Sequence, residues 1–305
     1  MTNTRTFTLI RVIFLALLAA CTSLATGALA QQPLVGTYTN IDPPGVTNAS
    51  ASGINNDGVI VGRYKTAANP FFHAFLREAD GSYSAIDPPG AITAEAKGVS
   101  DSGNVLGYSC DTAPCGPFNA YQGFLLREGV FSSFGSPDYT NTWAMRMNGR
   151  GQIIGCVHEP NFTEMYGFVV DRDGIFTHFT SVPMSMHNGI SPDGKTLVGL
   201  HYASGTYHGH ILSKDIFMPF DVPGSNWTQA WDLNARGEIV GIYKDILTGK
   251  FHGFLRNGVG YFSIDYPGAT ATRAYGISDN GQVVGEYTTA GGITHAFQLT
   301  RHEID

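Results

Sequence analysis

The sequence predicts an all-β protein: a six-bladed β-propeller of four-stranded blades, its last blade closed by the N-terminal strand. Three observations predict it. A ten-residue motif recurs six times at near-constant spacing, each interval has room for four short strands, and the two ends of the chain carry complementary parts of one unit.

The motif reads Gly-Ile-Asn-Asn-Asp-Gly-Val-Ile-Val-Gly at 53–62 and Gly-Ile-Ser-Asp-Asn-Gly-Gln-Val-Val-Gly at 276–285, with related versions at 98–107, 146–155, 189–199 and 232–241. Its closing glycines, Gly62, Gly107, Gly155, Gly199, Gly241 and Gly285, stand 42 to 48 residues apart. Strand a ends in Gly-Ile-Asn or Gly-Ile-Ser. The Asn/Asp/Ser-Gly cluster that follows is hairpin chemistry, because glycine accepts a positive φ. Strand b is the apolar run that closes at Val-Gly. Strand c is His73-Ala-Phe-Leu and its counterparts at Gln122, Tyr166, His208, His252 and His295. Strand d is Tyr83-Ser-Ala-Ile-Asp-Pro-Pro-Gly90, echoed at 217–224 and 261–268; its proline cannot donate to a ladder and stops the strand.

The sixth unit stops after strand c, at Leu299, while Tyr38-Thr-Asn-Ile-Asp-Pro-Pro-Gly45 is a strand d with no unit before it. Pairing the two would close a ring and hide an open sheet edge. The expected organisation is a leader at 1–30 and one propeller at 31–305. Its blades fall near 47–90, 93–138, 140–183, 185–224, 227–268, and 270–300 joined by 34–45.

Composition agrees. With 43% hydrophobic residues the chain can bury a core, which excludes global disorder, and 38 glycines exclude a coiled coil. Residues 1–30 read as an export signal: Arg5 and Arg11, an apolar run at Val12–Ala20, and Ala28-Leu29-Ala30 before a cleavage point. Leu18-Ala19-Ala20-Cys21 resembles a lipobox, so lipidation at Cys21 is the competing outcome, and membrane attachment is expected only in that case. Either way the protein is expected to be exported. Loss of the leader's two arginines moves the formal charge from −7 to −9. That balance argues against nucleic acid, which needs a basic stripe. Cys110 and Cys115 can close a small disulfide loop and leave Cys156 single; the alternative pairs Cys156 with one of them.

The repeated Gly-Ile-Asn/Ser…Gly…Val-Gly and His-Gly/Ala-Phe combination resembles the HAF-repeat family of bacterial extracellular proteins. The likeness covers residues 34 to 300, with the tripeptide itself at His73 and His295. It implies secretion and a repeat architecture, and it brings no catalytic residues with it.

Repetition itself separates structural from functional residues. His73, His208, His252 and His295 share one position with Gln122 and Tyr166, which is unsuited to a metal ring, so each is expected to bond a neighbouring backbone. Asp42, Asp87, Asp221 and Asp265 are expected to cap turns. Neither metal nor cofactor is expected. Variation marks the other class. Four residues before the strand-a apolar position stand Ser50, Glu95, Trp143, Met186, Gln229 and Arg273, which share no chemistry. They should ring one mouth of the channel, on the face where the b–c connections bring Arg63, His158, Glu159 and His201. His187 replaces an alanine recurrent at 51, 96, 144, 230 and 274. The opposite face, made of short hairpins, should have little room for a pocket.

The expected ligand-binding set is therefore Glu95, Trp143, Gln229, Arg273, His187, Arg63 and Glu159. The expected function is a non-catalytic binding module, a monomer, for a glycan, protein or small molecule at the channel face. The alternative is a lyase or hydrolase with His187, His158 or His201 as acid/base and Arg273 or Arg63 holding negative charge.

Overall fold

The computed structural model describes residues 31–115, 121–160 and 164–302. Residues 1–30, where the export signal and the lipidation point at Cys21 were expected, lie outside them. The chain forms six antiparallel four-stranded sheets arranged as the blades of a propeller. In the first blade, strands a to d run Asn48–Ile54, Ile60–Lys65, His73–Arg77 and Tyr83–Ala85. Four more blades follow in the same a-b-c-d order within 93–134, 141–178, 185–220 and 225–264.

The sixth blade takes three strands from the C-terminal end of the chain, and Gly36–Asn40 supplies its outer strand. Asn40 pairs with Phe297 and Tyr38 with Leu299, and the Ile41 N–H donates to the Ala296 carbonyl at 3.0 Å. The expected ring closure is present. One feature was not anticipated. Gln32–Pro33 adds a short parallel strand to the outer edge of blade five, opposite Phe262 and Ser263, so the chain entering the propeller clips two blades together.

The motif's glycines have distinct jobs. The hairpin glycines Gly58, Gly103, Gly151, Gly194, Gly237 and Gly281 all adopt positive φ, between 71° and 82°. The closing glycines are needed for space. A Cβ at Gly62 would come within 2.1 Å of the Ser50 carbonyl and 2.7 Å of the Phe75 ring, and the other five closing glycines are equally crowded. The phenylalanine of strand c lies over this bare backbone, which is why Phe75, Phe124, Phe168, Phe254 and Phe297 are fully buried. The core lies between blades. Val61 and Ala74 of blade one pack on Ala94, Ala96, Val105 and Phe124 of blade two, and Val284 and Ala296 of blade six pack on Ile41, Ala51, Ile60 and Phe75. Replacing one of these rings with alanine should cost about 3–5 kcal/mol.

The strand-c histidines are structural, as expected, but their partner is different. Nδ1 of His73, His208, His252 and His295 lies 2.6 to 2.8 Å from a carboxylate oxygen of Asp87, Asp221, Asp265 and Asp42 respectively. Two repeated features read separately in the sequence are one clamp between strand c and the turn after strand d. The disulfide joins Cys110 to Cys115, and Cys156 is a buried free thiol.

Candidate ligand-binding site at the channel mouth

Every strand a carries a β-bulge just after the residue that faces the closing glycine, an alanine in five blades and His187 in blade four. The extra residue shifts the alternation, so two side chains per blade, rather than one, can turn toward the channel. Ser50, Glu95 and Trp143 come from the variable ring seen in the sequence; Ser52, Lys97, Met145, Trp231 and Tyr275 are the bulged residues. Together with Arg63, Lys65 and Phe72 from the b–c side of blade one, and Tyr108 and Tyr121 from blade two, they line a cavity of about 560 Å³. That volume lies within the range of small-molecule sites, roughly 300–1,000 Å³.

The centre of this wall is an ion-paired cluster. Glu95 Oε1 accepts from Arg63 Nη1 at 2.8 Å, and Oε2 lies 2.8 Å from Lys97 Nζ and 3.0 Å from the Tyr108 hydroxyl. Burial alone would raise the Glu95 carboxyl, but Arg63 and Lys97 hold it down at about 2. Burial likewise lowers Lys97, against the pull of Glu95, and drives the Tyr108 phenol upward. Aromatic rings frame the charges. Trp143 stacks on Tyr108 with centroids 5.3 Å apart, Trp231 meets Tyr275 edge-on at 4.8 Å, and the cations of Arg63 and Lys65 sit 4.1 and 4.0 Å from the Phe72 centroid.

The floor is Arg146. Its Nη1 donates to the carbonyls of Lys97 and Met145, its Nη2 to those of Ser52 at 2.6 Å and Tyr275 at 2.7 Å, and its Nε lies 3.2 Å from Asp232 Oδ2. One guanidinium thus bonds blades one, two, three, five and six and divides the channel. On its other side, the hairpin face holds a second cavity of about 410 Å³, lined by Asn56, Asp101, Asp279 and Asp232 among others. This corrects the expectation that the hairpin face has little room: Arg146 stops the channel part-way, and the unfilled remainder opens there.

The other expected site residues do not join this cavity. His187 lies in strand a of blade four but points between blades, only 2% exposed, against Phe179 and over Gly167. Its Nδ1 is 3.3 Å from Nε2 of His210, which occupies the phenylalanine position of that blade. Burial lowers His187 to about 3 and His210 well below the usual imidazole value. His201 packs on His208, His210 and Phe217, and burial lowers it too. His158 is fully buried edge-on to Trp143; burial lowers it, with Glu159 opposing. The Glu159 carboxylate accepts from Thr140 at 3.1 Å. Gln229 accepts from the Trp231 indole at 3.2 Å, one residue behind the wall. Arg273 pairs with Glu286 at 3.1 Å and covers the Phe251 ring, outside the cavity. The proposed acid/base histidines are therefore not brought together with Arg273 or Glu95. Among the described residues no group of three or more His, Cys, Asp or Glu is arranged to hold a metal ion, and no helix is long and apolar enough to cross a membrane.

Sequence reasoning missed Arg146, Asp232 and the bulged ring. The signal for the first two was present: they stand where four of the six motifs begin with glycine.

No protein-family model matches the chain, and no curated protein matches it in sequence. Solved structures do match in fold. A gluconolactonase from Xanthomonas campestris superposes with a TM-score of 0.56 at 11% identity, over 90% of this chain and 93% of that one. TolB from Acinetobacter baumannii gives 0.55 at 11% identity, over 86% of this chain and 66% of that one. The Aleuria aurantia lectin, solved with α-methyl-L-fucoside, gives 0.52 at 12% identity, over 85% and 93%. The chain is a six-bladed β-propeller. At these identities the likeness extends to fold alone.

Proposed function

We propose that the protein is an exported, non-catalytic β-propeller that binds a glycan in the cavity at the channel mouth, and that it is a HAF-repeat protein. The observation that carries the reading is the cavity wall, in which aromatic faces alternate with fixed charges: Trp143, Tyr108, Tyr121, Trp231 and Phe72 around Arg63, Lys97 and Glu95. Flat apolar rings beside directional polar groups suit the apolar C–H faces and hydroxyls of a sugar. Turnover needs a group that gives or takes a proton near neutral pH. Among the described lining residues there is no histidine, and Glu95 and Lys97 are already bound to each other, with Glu95 also held by Arg63 and Tyr108. Both features favour binding over catalysis.

A thermal-shift screen against mono- and oligosaccharides tests the reading, with Trp143→Ala as the control. A sugar that stabilises the native protein and fails to stabilise the variant supports it. Stabilisation that survives Trp143→Ala, or none from any saccharide, would overturn it.

A further inference from the structure

The charge of the cavity wall goes further than the choice between binding and catalysis. Four cationic side chains line it, Arg63, Lys65, Lys97 and Arg146, against the single carboxylate of Glu95. In a protein of formal net charge −7 this is a local reversal of sign. Two of the cations are already matched. Lys97 is bound to Glu95, and Arg146 is saturated by four carbonyls and Asp232. Arg63 is matched by Glu95, with Glu286 also nearby, through only part of its guanidinium, and Lys65 is not matched. Arg63 spends one nitrogen on Glu95, while its Nε is shut off from solvent with no hydrogen-bond partner among the described residues. Lys65 rests its ammonium on Phe72 and has no carboxylate within ion-pair distance among the described residues.

Arg63 Nε is out of a ligand's reach, but the Lys65 ammonium lines the cavity with no carboxylate of its own among the described residues. Arg63 and Lys65 both lie against the Phe72 ring and both line the cavity, whose wall also carries the stacked pair Trp143 and Tyr108. With Nη1 held by Glu95 and Nε closed off, Nη2 of Arg63 and the ammonium of Lys65 are the donors that a carboxylate ligand can use. We infer that the ligand is an acidic saccharide, a pyranose whose carboxylate sits at Arg63 and Lys65 and whose ring lies along the aromatic wall. This rests on the glycan-binding reading and narrows it.

The experiment is titration calorimetry of the native protein with D-glucuronate, D-galacturonate, D-glucose, D-galactose and inorganic phosphate, at low and high salt. A uronate should bind at least ~10-fold more tightly than its neutral parent, the span of one charge-assisted hydrogen bond. Added salt should weaken it. Lys65→Met removes the ammonium, keeps an unbranched side chain of similar length and leaves the Glu95 cluster intact, so it should fold normally and lose ~10-fold in uronate affinity. If neutral sugars bind as tightly as uronates in a Trp143-dependent way, the inference falls and the glycan reading stands. Phosphate binding as tightly as a uronate would show an anion site without sugar recognition and would overturn it. So would uronate binding indifferent to Lys65→Met, or no uronate binding at all.

Discussion

Nδ1 of His295 lies 2.6 Å from Oδ2 of Asp42, although 253 residues separate them in the chain. The other oxygen of Asp42 accepts the Ala296 N–H at 2.7 Å, so one carboxylate holds both the side chain and the backbone of the last strand c. The same arrangement joins His73 to Asp87, only 14 residues apart within blade one. Identical local chemistry thus serves as a hairpin brace in one blade and as the ring's latch in another.

Asp42→Ala should therefore act non-locally. Loss of bonds to a charged group costs roughly 1.5–3 kcal/mol, and the cost should appear as opening of the sixth blade. Hydrogen exchange should quicken at Gly36–Asn40 and Thr294–Arg301. Asp87→Ala should lose comparable stability with faster exchange confined to blade one. Equal exchange patterns in the two variants would contradict a latch.

The His187–His210 pair should make stability sensitive to mild acid. Burial depresses both imidazoles below their unfolded value of 6.5, so the unfolded chain binds protons that the folded one refuses. Their contribution is complete above pH 6.5 and is lost as the pH falls below it, for His187 toward about 3, with a slope of up to ~1.4 kcal/mol per pH unit per histidine. His187→Ala combined with His210→Phe restores the pair used by the other blades. Urea denaturation between pH 7 and 5 should show a flatter profile for this double variant than for the native protein.

Arg146→Gly should destabilise by about 3–5 kcal/mol, because it strands a buried carboxylate at Asp232. Burial already pushes that carboxyl up, and only Arg146 and the hydrogen bonds to it oppose the shift. Adding Asp232→Gly removes the stranded charge and places at both sites the residue the other motifs use. The double variant should recover part of the loss in chemical denaturation. If it is less stable than Arg146→Gly alone, packing rather than charge explains the cost.

Reduction of Cys110–Cys115 should cost about 2 kcal/mol, the modest value expected for a loop this short. Cys156 should resist iodoacetamide until the protein unfolds, since burial raises its thiol pKa and closes access. Mass spectrometry of alkylated native and denatured protein separates the two cases.

Much of the site could be read from the sequence, and the shortfall has a definite cause. Glu95 and Trp143 were recognisable because they vary where everything else repeats, and Arg63 because the b–c connection brings it to the same face. Lys97, Trp231 and Tyr275 were not, because the bulge in each strand a adds one residue to a period-two pattern and hides a second ring facing the channel. His187 stood out as an anomaly, but its ring turns between blades, a direction that depends on the free space over Gly167 in the neighbouring blade. The histidine–aspartate clamp was legible and overlooked: both residues occur together in four units and neither occurs in the other two.

The sequence by itself determined the number of blades, the strand order within each and the use of the N-terminal segment to close the ring. These follow from local turn chemistry and from a period that needs no knowledge of distant contacts. Only the tertiary structure decided which side chains share a cavity, that Arg146 reaches five blades to divide the channel, and that His187, His201 and His210 lie in a separate buried cluster. Those relations depend on how six sheets converge on one axis, where residues more than a hundred positions apart come within a hydrogen bond of each other.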